Sequence, residues 1–332
     1  NYTGKLEVGS FDIIGNLSLN ASIALGDEYV NRYHAQYSSR DDVYTTGYSK
    51  PYSGSDIKPK VVISIDGVGT VFDSFNSEDN GDVTVEYLDS KNGSSANADL
   101  KNAGTKYVKI TGLGKYAGTT LWVTYEVARR DISSSSLVTY AVTTNNVFTY
   151  DANKVPQMKQ YANPSELLAG TEPGYCLVNK ENGQSLTINQ DFTYSTIPSN
   201  QKNVADVTYK LEGTGNYKGT KNGQFSIVPF DLGDPANNIV VELEQGTDPN
   251  NTNNWMYTGN QIKPKVLSVK CGDVVISPSD YIVEYGANKE IEENGTVTIK
   301  ENGNGNLTGS YTKDFGIVKK SLSPTDINIT LI

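Results

Sequence analysis

Residues 104–119 read Gly-Thr-Lys-Tyr-Val-Lys-Ile-Thr-Gly-Leu-Gly-Lys-Tyr-Ala-Gly-Thr, and related stretches occupy residues 207–220 and 295–309. In each stretch apolar and polar residues alternate ahead of a glycine-rich segment, as in a strand that buries one face. The glycines then let the chain reverse, because glycine reaches positive φ without steric cost. The Tyr or Leu of the turn falls at positions 116, 217 and 307, and Tyr2 lies on the tail of a fourth copy.

Two further markers keep the same order along the chain. The first reads Tyr-x-Gly-x-x-Ile-Lys-Pro-Lys-Val at residues 52–61 and 257–266, with a degenerate copy at 150–156. The second reads Asp-x-x-Val-Glu-Tyr at residues 82–87 and 280–285, with a partial copy at 191–194. Three markers in one register indicate a tandem array of related modules.

The array is predicted to be all-β and built of tandem immunoglobulin-like β-sandwich modules. The chain has 22 Tyr and 31 Gly among 332 residues; Tyr suits half-buried strands and Gly suits the turns between them. A repeat of about 90 to 115 residues matches the size of such a sandwich. The predicted boundaries are 1–16 (closing strand of a preceding module), 17–130 (first module, with a Tyr-rich insert), 131–230 (second, divergent module), 231–320 (third module) and 321–332 (opening strand of a following module).

The strands that open and close each module can also be predicted. Closing strands are expected at residues 5–14, 119–128, 221–228 and 310–318, and opening strands at 17–25, 132–142, 239–243 and 322–332. A helical turn is expected only at residues 164–169. The strands at both ends of the chain are expected to pair with neighbouring modules of the same or adjacent chains, because unpaired sheet edges favour aggregation.

These markers resemble the MBG/YDG-type immunoglobulin-like repeats in secreted and wall-attached proteins of Gram-positive, clostridia-type gut bacteria. The motifs that carry the resemblance are Tyr-Thr-Gly, Ile-Lys-Pro-Lys-Val, Asp-Tyr-x-Val-x-Tyr and Gly-Asn-Tyr-x-Gly-Thr. The resemblance is closest over residues 231–320 and weakest over 131–230. It implies a β-sandwich and an extracellular location, either secreted or at the bacterial cell surface. It implies no shared catalytic residues.

Composition argues against several classes of function. The net charge is −10 and no basic stripe is present, so we expect no nucleic-acid partner. No apolar run approaches the roughly 18 to 20 residues that span a bilayer, and we expect no membrane insertion of this segment. Cys176 and Cys271 lack metal-ligand spacing, and we expect two idle thiols, with a bridge between modules as the alternative.

We expect no enzyme, no catalytic residue and no bound cofactor. The chain has a single histidine, His34, whereas Ser-His-Asp and Cys-His sites and most catalytic zinc sites require histidine beside further partners. Calcium is the cofactor left open, at Asp79-Asn80-Gly81-Asp82 and Asp248-Pro249-Asn250-Asn251, although neither stretch is a complete EF-hand loop. An intramolecular Lys–Asn isopeptide bond is also left open.

The leading hypothesis is an extracellular structural array, a spacer or stalk that presents or connects other domains. The alternative is a carbohydrate-binding or adhesive module that contacts glycans or a host surface through exposed aromatic rings. The candidate ligand-binding residues are Tyr29, Tyr33, Tyr37, Tyr44 and Tyr48 in the insert of the first module, and Trp255 in the third.

Overall fold

The computed structural model describes residues 21–38, 43–291 and 294–321, and nearly all of its regular structure is β-strand. The prediction of an all-β fold is confirmed. Within these residues the α-helical structure is one short helix, α1 (Pro164–Ala169), at the predicted position. It begins there because the Asn163 side chain accepts the Glu166 backbone N–H at 3.0 Å and proline occupies the first turn. No helix in the described residues is both long and apolar enough for a membrane span.

The first repeat, residues 17–130, is an alternation of strands with short turns. Its described residues include three 3-10 helices, at Tyr29–Asn31, Ser95–Asn97 and Gly114–Tyr116. Its described strands are β1 (Ala21–Gly26), β2 (Tyr33–His34), β3 (Gln36–Ser38), β4 (Val43–Pro51), β5 (Lys60–Ile65), β6 (Gly69–Asp73), β7 (Glu78–Asp79), β8 (Val83–Leu88), β9 (Gly104–Gly112) and β10 (Thr120–Ala128).

The second and third repeats, residues 131–230 and 231–320, have shorter strands in a similar order. Those of the second are β11 (Arg130–Asp131), β12 (Val138–Val142), β13 (Val147–Thr149), β14 (Lys159–Gln160), β15 (Gly174–Asn179), β16 (Phe192–Ile197), β17 (Ala205–Gly213), β18 (Tyr217–Lys218) and β19 (Thr220–Val228). Those described in the third are β20 (Phe230–Asp231), β21 (Ile239–Leu243), β22 (Asn254–Met256), β23 (Val266–Cys271), β24 (Val274–Val275), β25 (Tyr281–Tyr285), β26 (Gly295–Glu301), β27 (Leu307–Thr308) and β28 (Ser310–Val318).

The same sheet order recurs in the three repeats. One sheet runs β3-β4-β10-β9-β8 in the first, β13-β19-β17-β16 in the second and β22-β28-β26-β25 in the third. In every case an early strand pairs in parallel with the last strand of the repeat. The other sheet places the opening strand beside the next long strand, as in β1–β5 and β21–β23. The markers found in the sequence therefore correspond to one recurring topology.

The closing strands lie at the predicted positions, whereas one opening strand is shorter than predicted. β10, β19 and β28 match the expected segments within one residue at both ends. The opening strand expected at 132–142 begins only at Val138. The chain turns first, with the Ser134 N–H donating to the Asp131 carbonyl at 3.2 Å. The strands predicted at 5–14 and 322–332 lie outside the described residues.

The described chain forms two compact units. The first comprises its residues up to Tyr140 with Cys176–Tyr194 and Leu211–Lys221, and the second comprises Ala141–Tyr175, Ser195–Lys210 and the residues from Asn222 onward. The division passes through the second repeat, and the three-module organisation stays a prediction. In the first unit, Leu25, Ile63, Val108, Ile110 and Val123 form part of a buried apolar cluster from both sheets of the first repeat.

The buried Tyr217 and the half-buried Tyr87 lead us to predict a loss of stability at alkaline pH. Burial raises the pKa of Tyr87 and that of Tyr217 to about 12, whereas an unfolded tyrosine titrates near about 10. The folded chain then holds these protons more tightly than the unfolded chain does. The stabilisation is therefore complete below pH ~10 and is lost as the pH rises from ~10 towards 12.

The measurement is the urea midpoint between pH 9 and 12, with absorbance at 295 nm following tyrosinate formation. Tyr87→Phe is the control, and it should reduce the pH dependence of the midpoint. If all tyrosines ionise near pH 10 in a chain that stays folded, the burial described for Tyr87 and Tyr217 is wrong.

Candidate functional site: the joints between repeats

The chain between consecutive repeats is a short strand that pairs with the glycine-rich turn of the repeat that follows. This strand and the turn with which it pairs are called a joint. At the first joint β11 lies parallel to β18, with Arg130 opposite Tyr217 and Asp131 opposite Lys218. The Arg130 N–H donates to the Asn216 carbonyl at 2.8 Å, and the Ile132 N–H donates to the Lys218 carbonyl at 2.9 Å. All these residues belong to the first compact unit.

The second joint, within the second compact unit, repeats this pairing. There β20 lies parallel to β27, with Phe230 opposite Leu307 and Asp231 opposite Thr308. The Phe230 N–H donates to the Asn306 carbonyl at 3.0 Å, and the Leu232 N–H donates to the Thr308 carbonyl at 2.9 Å. Two joints thus use the same backbone bonds at equivalent positions.

An asparagine at the tip of the turn makes a second set of equivalent contacts. At the first joint the Ala103 N–H donates to Asn216 Oδ1 at 2.8 Å, and Asn216 Nδ2 donates to Asn102 Oδ1 at 2.8 Å. Asn306 does the same at the second joint, at 3.1 Å from the Val204 N–H and 3.2 Å from Asn203 Oδ1. A side-chain amide presents a donor and an acceptor together, so one residue fixes both groups of the preceding repeat.

Glycine is required where the turn passes the linker. Gly219 has φ +84°, and a Cβ built on it would lie 2.1 Å from Asp131 Oδ1. Gly309 has φ +70° and would place a Cβ 2.6 Å from Asp231 Oδ1. Each aspartate also accepts the backbone N–H two residues ahead, at 2.8 Å. The glycine that ends each of the segments 217–219 and 307–309 is thus required by its positive φ, and it also leaves room for the aspartate carboxylate.

The joints differ in the residue that fills the interior. Arg130 is 2% exposed at the first joint, and its guanidinium donates to the carbonyls of Tyr52 and Leu137 and to the Glu181 carboxylate. Phe230 holds the equivalent position at the second joint and is 7% exposed. A buried arginine needs several acceptors because its charge is removed from water.

A buried carboxylate strengthens the second joint. Asp280 is 4% exposed, and it accepts the Tyr150 hydroxyl at 2.6 Å and the Asn304 side-chain amide at 2.8 Å. Burial, followed by this hydrogen bond, raises the pKa of the Tyr150 phenol well above its usual value. Tyr150 and Asp280 belong to different repeats, so the bond ties one repeat to the next.

We predict that Tyr150→Phe lowers the free energy of unfolding of the second unit by about 2 kcal/mol, because a buried acceptor on Asp280 loses its donor. Tyr257 is the matched control. It makes the same backbone bond, from its N–H to the last residue of the closing strand, but it is 41% exposed. Tyr257→Phe should leave stability unchanged within about 0.5 kcal/mol. Urea unfolding followed by Trp255 fluorescence measures both, and equal losses would contradict the described bond.

The tyrosine insert forms a small aromatic surface that is only partly exposed. Tyr33 is 47% and Tyr37 57% exposed, and Tyr44 is half-buried with its ring 5.3 Å from that of Tyr37. Tyr48 is buried, with its hydroxyl donating to Asp27 at 2.8 Å. The side chain of Tyr29, in the 3-10 helix, lies outside the described residues.

Two of the candidate ligand-binding rings require a correction. Tyr48 is 4% exposed and Trp255 7% exposed, so neither offers the open face that a sugar needs. Tyr48 packs against Tyr125 at 6.3 Å, and Trp255 packs against Phe315 at 4.8 Å. Both are core residues because each lies on a strand paired with the closing strand of its repeat.

The third repeat carries an open groove of about 720 Å³. Two carboxylates on one wall, Glu242 in β21 and Glu244 directly after it, are already engaged in hydrogen bonds. Glu242 accepts the Ser268 hydroxyl at 2.9 Å, and Glu244 accepts the Lys265 N–H at 2.8 Å. They are therefore not a free acid–base pair.

His34 lies in β2, opposite Ala24 of β1, and is exposed. Asp79 and Asp248 each accept the backbone N–H two residues ahead, at 2.9 and 3.0 Å, so these acidic stretches form local turns. In the described residues no three His, Cys, Asp or Glu side chains gather as a metal site. Cys176 is buried and Cys271 half-buried, and both are thiols.

Comparisons with models of known protein families, with curated proteins and with solved structures find no significant match. The joints and the aromatic surface are therefore the features that bear on function. Sequence reasoning missed the joint residues Arg130, Asn216, Asn306 and Asp280. The signal available in the sequence was an asparagine that directly precedes the turn residue in two repeats, before Tyr217 and before Leu307.

Proposed function

We propose that this chain is an extracellular structural array whose immunoglobulin-like repeats act as a spacer or stalk for other domains. The observation that carries the proposal is the recurrence of one joint, with equivalent backbone and asparagine bonds at two positions. An assembly that must hold its repeats in a fixed geometry needs such joints, whereas repeats that act independently need only a flexible linker. The resemblance to bacterial surface repeats supports the extracellular location.

The strand order supports a load-bearing role. In each repeat an early strand pairs in parallel with the closing strand. Tension on the chain would load these paired strands in shear, so several hydrogen bonds would have to break together. A stalk exposed to tension benefits from this arrangement.

Single-molecule stretching of the whole chain between its ends tests the proposal. We expect separate unfolding events, each releasing roughly 300 to 400 Å of contour for a repeat of about 90 to 115 residues. Val147 and Ser226 lie opposite each other in the parallel pair, so cysteines at both positions can form a disulfide. Under oxidising conditions this disulfide should shorten the contour length that one event releases, and reduction should restore the full length. Smooth extension without discrete events would overturn a load-bearing role.

A second candidate function is glycan binding by the first repeat, favoured by the exposed rings of Tyr33 and Tyr37. Such rings stack on the apolar faces of sugars while their hydroxyls form hydrogen bonds. A glycan array with the intact chain tests it, and Tyr33→Ala with Tyr37→Ala should abolish any signal. Tyr257→Ala is the matched control for an exposed tyrosine outside the insert. Absence of binding to every glycan would remove this function.

A further inference from the structure

We infer that Tyr107 and Trp122 form the centre of a saccharide-binding site on the outer face of the β3-β4-β10-β9-β8 sheet of the first repeat. These two rings are called the aromatic corner. They lie on β9 and β10, outside the insert that carries Tyr33 and Tyr37. A ligand bound at the corner adds a function to the spacer role proposed above, and its chemistry does not depend on that role.

Alternation along the two strands turns both rings away from the core. In β10 the buried residues Leu121 and Val123 flank Trp122, and in β9 the buried Val108 follows Tyr107. Successive side chains of a strand point to opposite faces, so both rings stand on the outer face, where each is half-buried. Their centroids lie 6.2 Å apart at an interplanar angle of 88°. One ring therefore presents its face beside the edge of the other.

The polar atoms of the aromatic corner are not used inside the protein. Among the described residues, neither the Trp122 indole N–H nor the Tyr107 hydroxyl forms a hydrogen bond. The hydroxyl of Tyr125, which faces the core from the same sheet, instead donates to the Ile57 carbonyl at 2.7 Å. The polar atom of a tyrosine or tryptophan usually finds a partner when the ring is buried. The two groups at the corner are therefore available to a ligand.

A charged pair flanks the aromatic corner. Lys109 lies opposite Trp122 in the strand register, and its ammonium is 3.1 Å from Glu86 Oε2. The Ser95 hydroxyl donates to Glu86 Oε1, also at 3.1 Å. The hydrogen bonds from Lys109 and Ser95 lower the pKa of Glu86, so this carboxylate is ionised at neutral pH. An ammonium with three donors and a carboxylate with several acceptor sites both keep bonding capacity for a ligand.

The fold does not require aromatic rings at these two positions. Trp122 lies six residues before the end of its closing strand, and Tyr107 directly precedes a buried valine of the strand paired with it. The second and third repeats carry polar residues at the equivalent positions, Asn222 and Thr312 in place of Trp122, and Asp206 and Thr296 in place of Tyr107. The same strands form in those repeats. A solvent-facing tryptophan that the topology does not need is typical of a binding surface.

A saccharide matches this combination of groups. The C–H groups on one face of a pyranose ring stack on an aromatic face, while the sugar hydroxyls reach hydrogen-bonding groups beside it. The indole N–H, the Tyr107 hydroxyl and the Lys109–Glu86 pair supply those groups around the two rings. A proline-rich peptide is the competing ligand, because such segments dock in aromatic-lined grooves. Two rings in edge contact leave no groove between them, so the geometry favours the saccharide.

Titration of the full chain with oligosaccharides tests the site. The probes are cellohexaose, maltohexaose, xylohexaose and chitohexaose, with a proline decapeptide as the competing ligand. In a chain whose Trp255 is replaced by phenylalanine, Trp122 is the remaining tryptophan, and its fluorescence reports binding at the corner. Isothermal titration calorimetry gives the association constant of the unaltered chain and of each variant.

The variants separate the corner from the insert. Tyr107→Thr and Trp122→Thr copy the residues of the third repeat, so both chains should fold, and circular dichroism checks that they do. Tyr33→Ala with Tyr37→Ala removes the exposed rings of the insert. Tyr257→Thr is the matched control, because Tyr257 is 41% exposed and lies in a different repeat.

We expect at least one hexasaccharide to bind and to change the fluorescence of Trp122. Its association constant should fall at least about tenfold in each corner variant, because a stacking surface is lost, and should stay within about twofold in the control and in the insert variant. A loss confined to the insert variant would overturn the inference and leave the insert as the glycan site. Binding of no hexasaccharide, or of the proline decapeptide alone, would overturn it as well, and the structural array would stand in every case.

Discussion

Replacing Arg130 with alanine is expected to lower the free energy of unfolding of the first unit by about 3 kcal/mol, because hydrogen bonds from a buried charged donor to two partly buried carbonyls are lost together. The guanidinium donates to the carbonyls of Tyr52 and Leu137 and lies 3.4 Å from Glu181. Glu181 is 54% exposed, so its charge stays hydrated and adds little to the loss. The carbonyls are the groups that lose their partner.

Urea unfolding measures this loss with Trp122 as the reporter, in a chain whose Trp255 is replaced by phenylalanine. Lys58→Met is the control, because Lys58 is an exposed cation on the same repeat. Its effect should stay within about 0.5 kcal/mol. A similarly small effect for Arg130→Ala would show that the first joint does not depend on this side chain.

Gly213→Ala is expected to lower the free energy of unfolding of the first unit by about 3 kcal/mol. The added methyl group would clash with backbone atoms, which cannot move aside as a side chain can. A Cβ on Gly213 would lie 2.7 Å from the Lys218 nitrogen and 2.8 Å from its Cα. Lys218 is paired with Asp131 across the first joint. The substitution should therefore disturb the joint as well as the turn.

The matched control for this substitution is Gly233→Ala. A Cβ there would lie 3.3 Å from the Asp231 side chain and at least 3.8 Å from any other group. Its effect should stay within about 0.5 kcal/mol. Equal losses at Gly213 and Gly233 would contradict the close packing of the first turn.

Local patterns in the sequence were sufficient for the strands and insufficient for the joints. Alternation at Val108 and Ile110, or at Val297 and Ile299, predicts a strand because it reflects one buried face, and both pairs are fully buried. The helix at 164–169 was also predictable from local sequence, because its capping residue and its proline are adjacent in the chain. These signals depend on neighbouring residues alone.

The joints could not be predicted because their partners are far apart along the chain. Arg130 resembles any basic residue after a strand until the fold brings the carbonyls of Tyr52 and Leu137 to it. Trp255 shows the opposite difficulty. It follows two asparagines in the sequence, a setting typical of an exposed ring, but pairing with the closing strand buries it against Phe315. Exposure of a single aromatic ring is decided by tertiary packing.

The central claim is that consecutive repeats are held rigidly at their joints, and double electron–electron resonance across the first joint tests it most directly. Spin labels at Glu126 and Gln190, both exposed and both in the first unit, span the first and second repeats in a Cys271→Ser chain. A pair at Glu126 and Ser94, both exposed in the first repeat, gives the width expected within one repeat. We predict a single distance as narrow as in that reference pair, which broadens when Asn216 is replaced by alanine. A broad distribution in the unaltered joint would contradict the account.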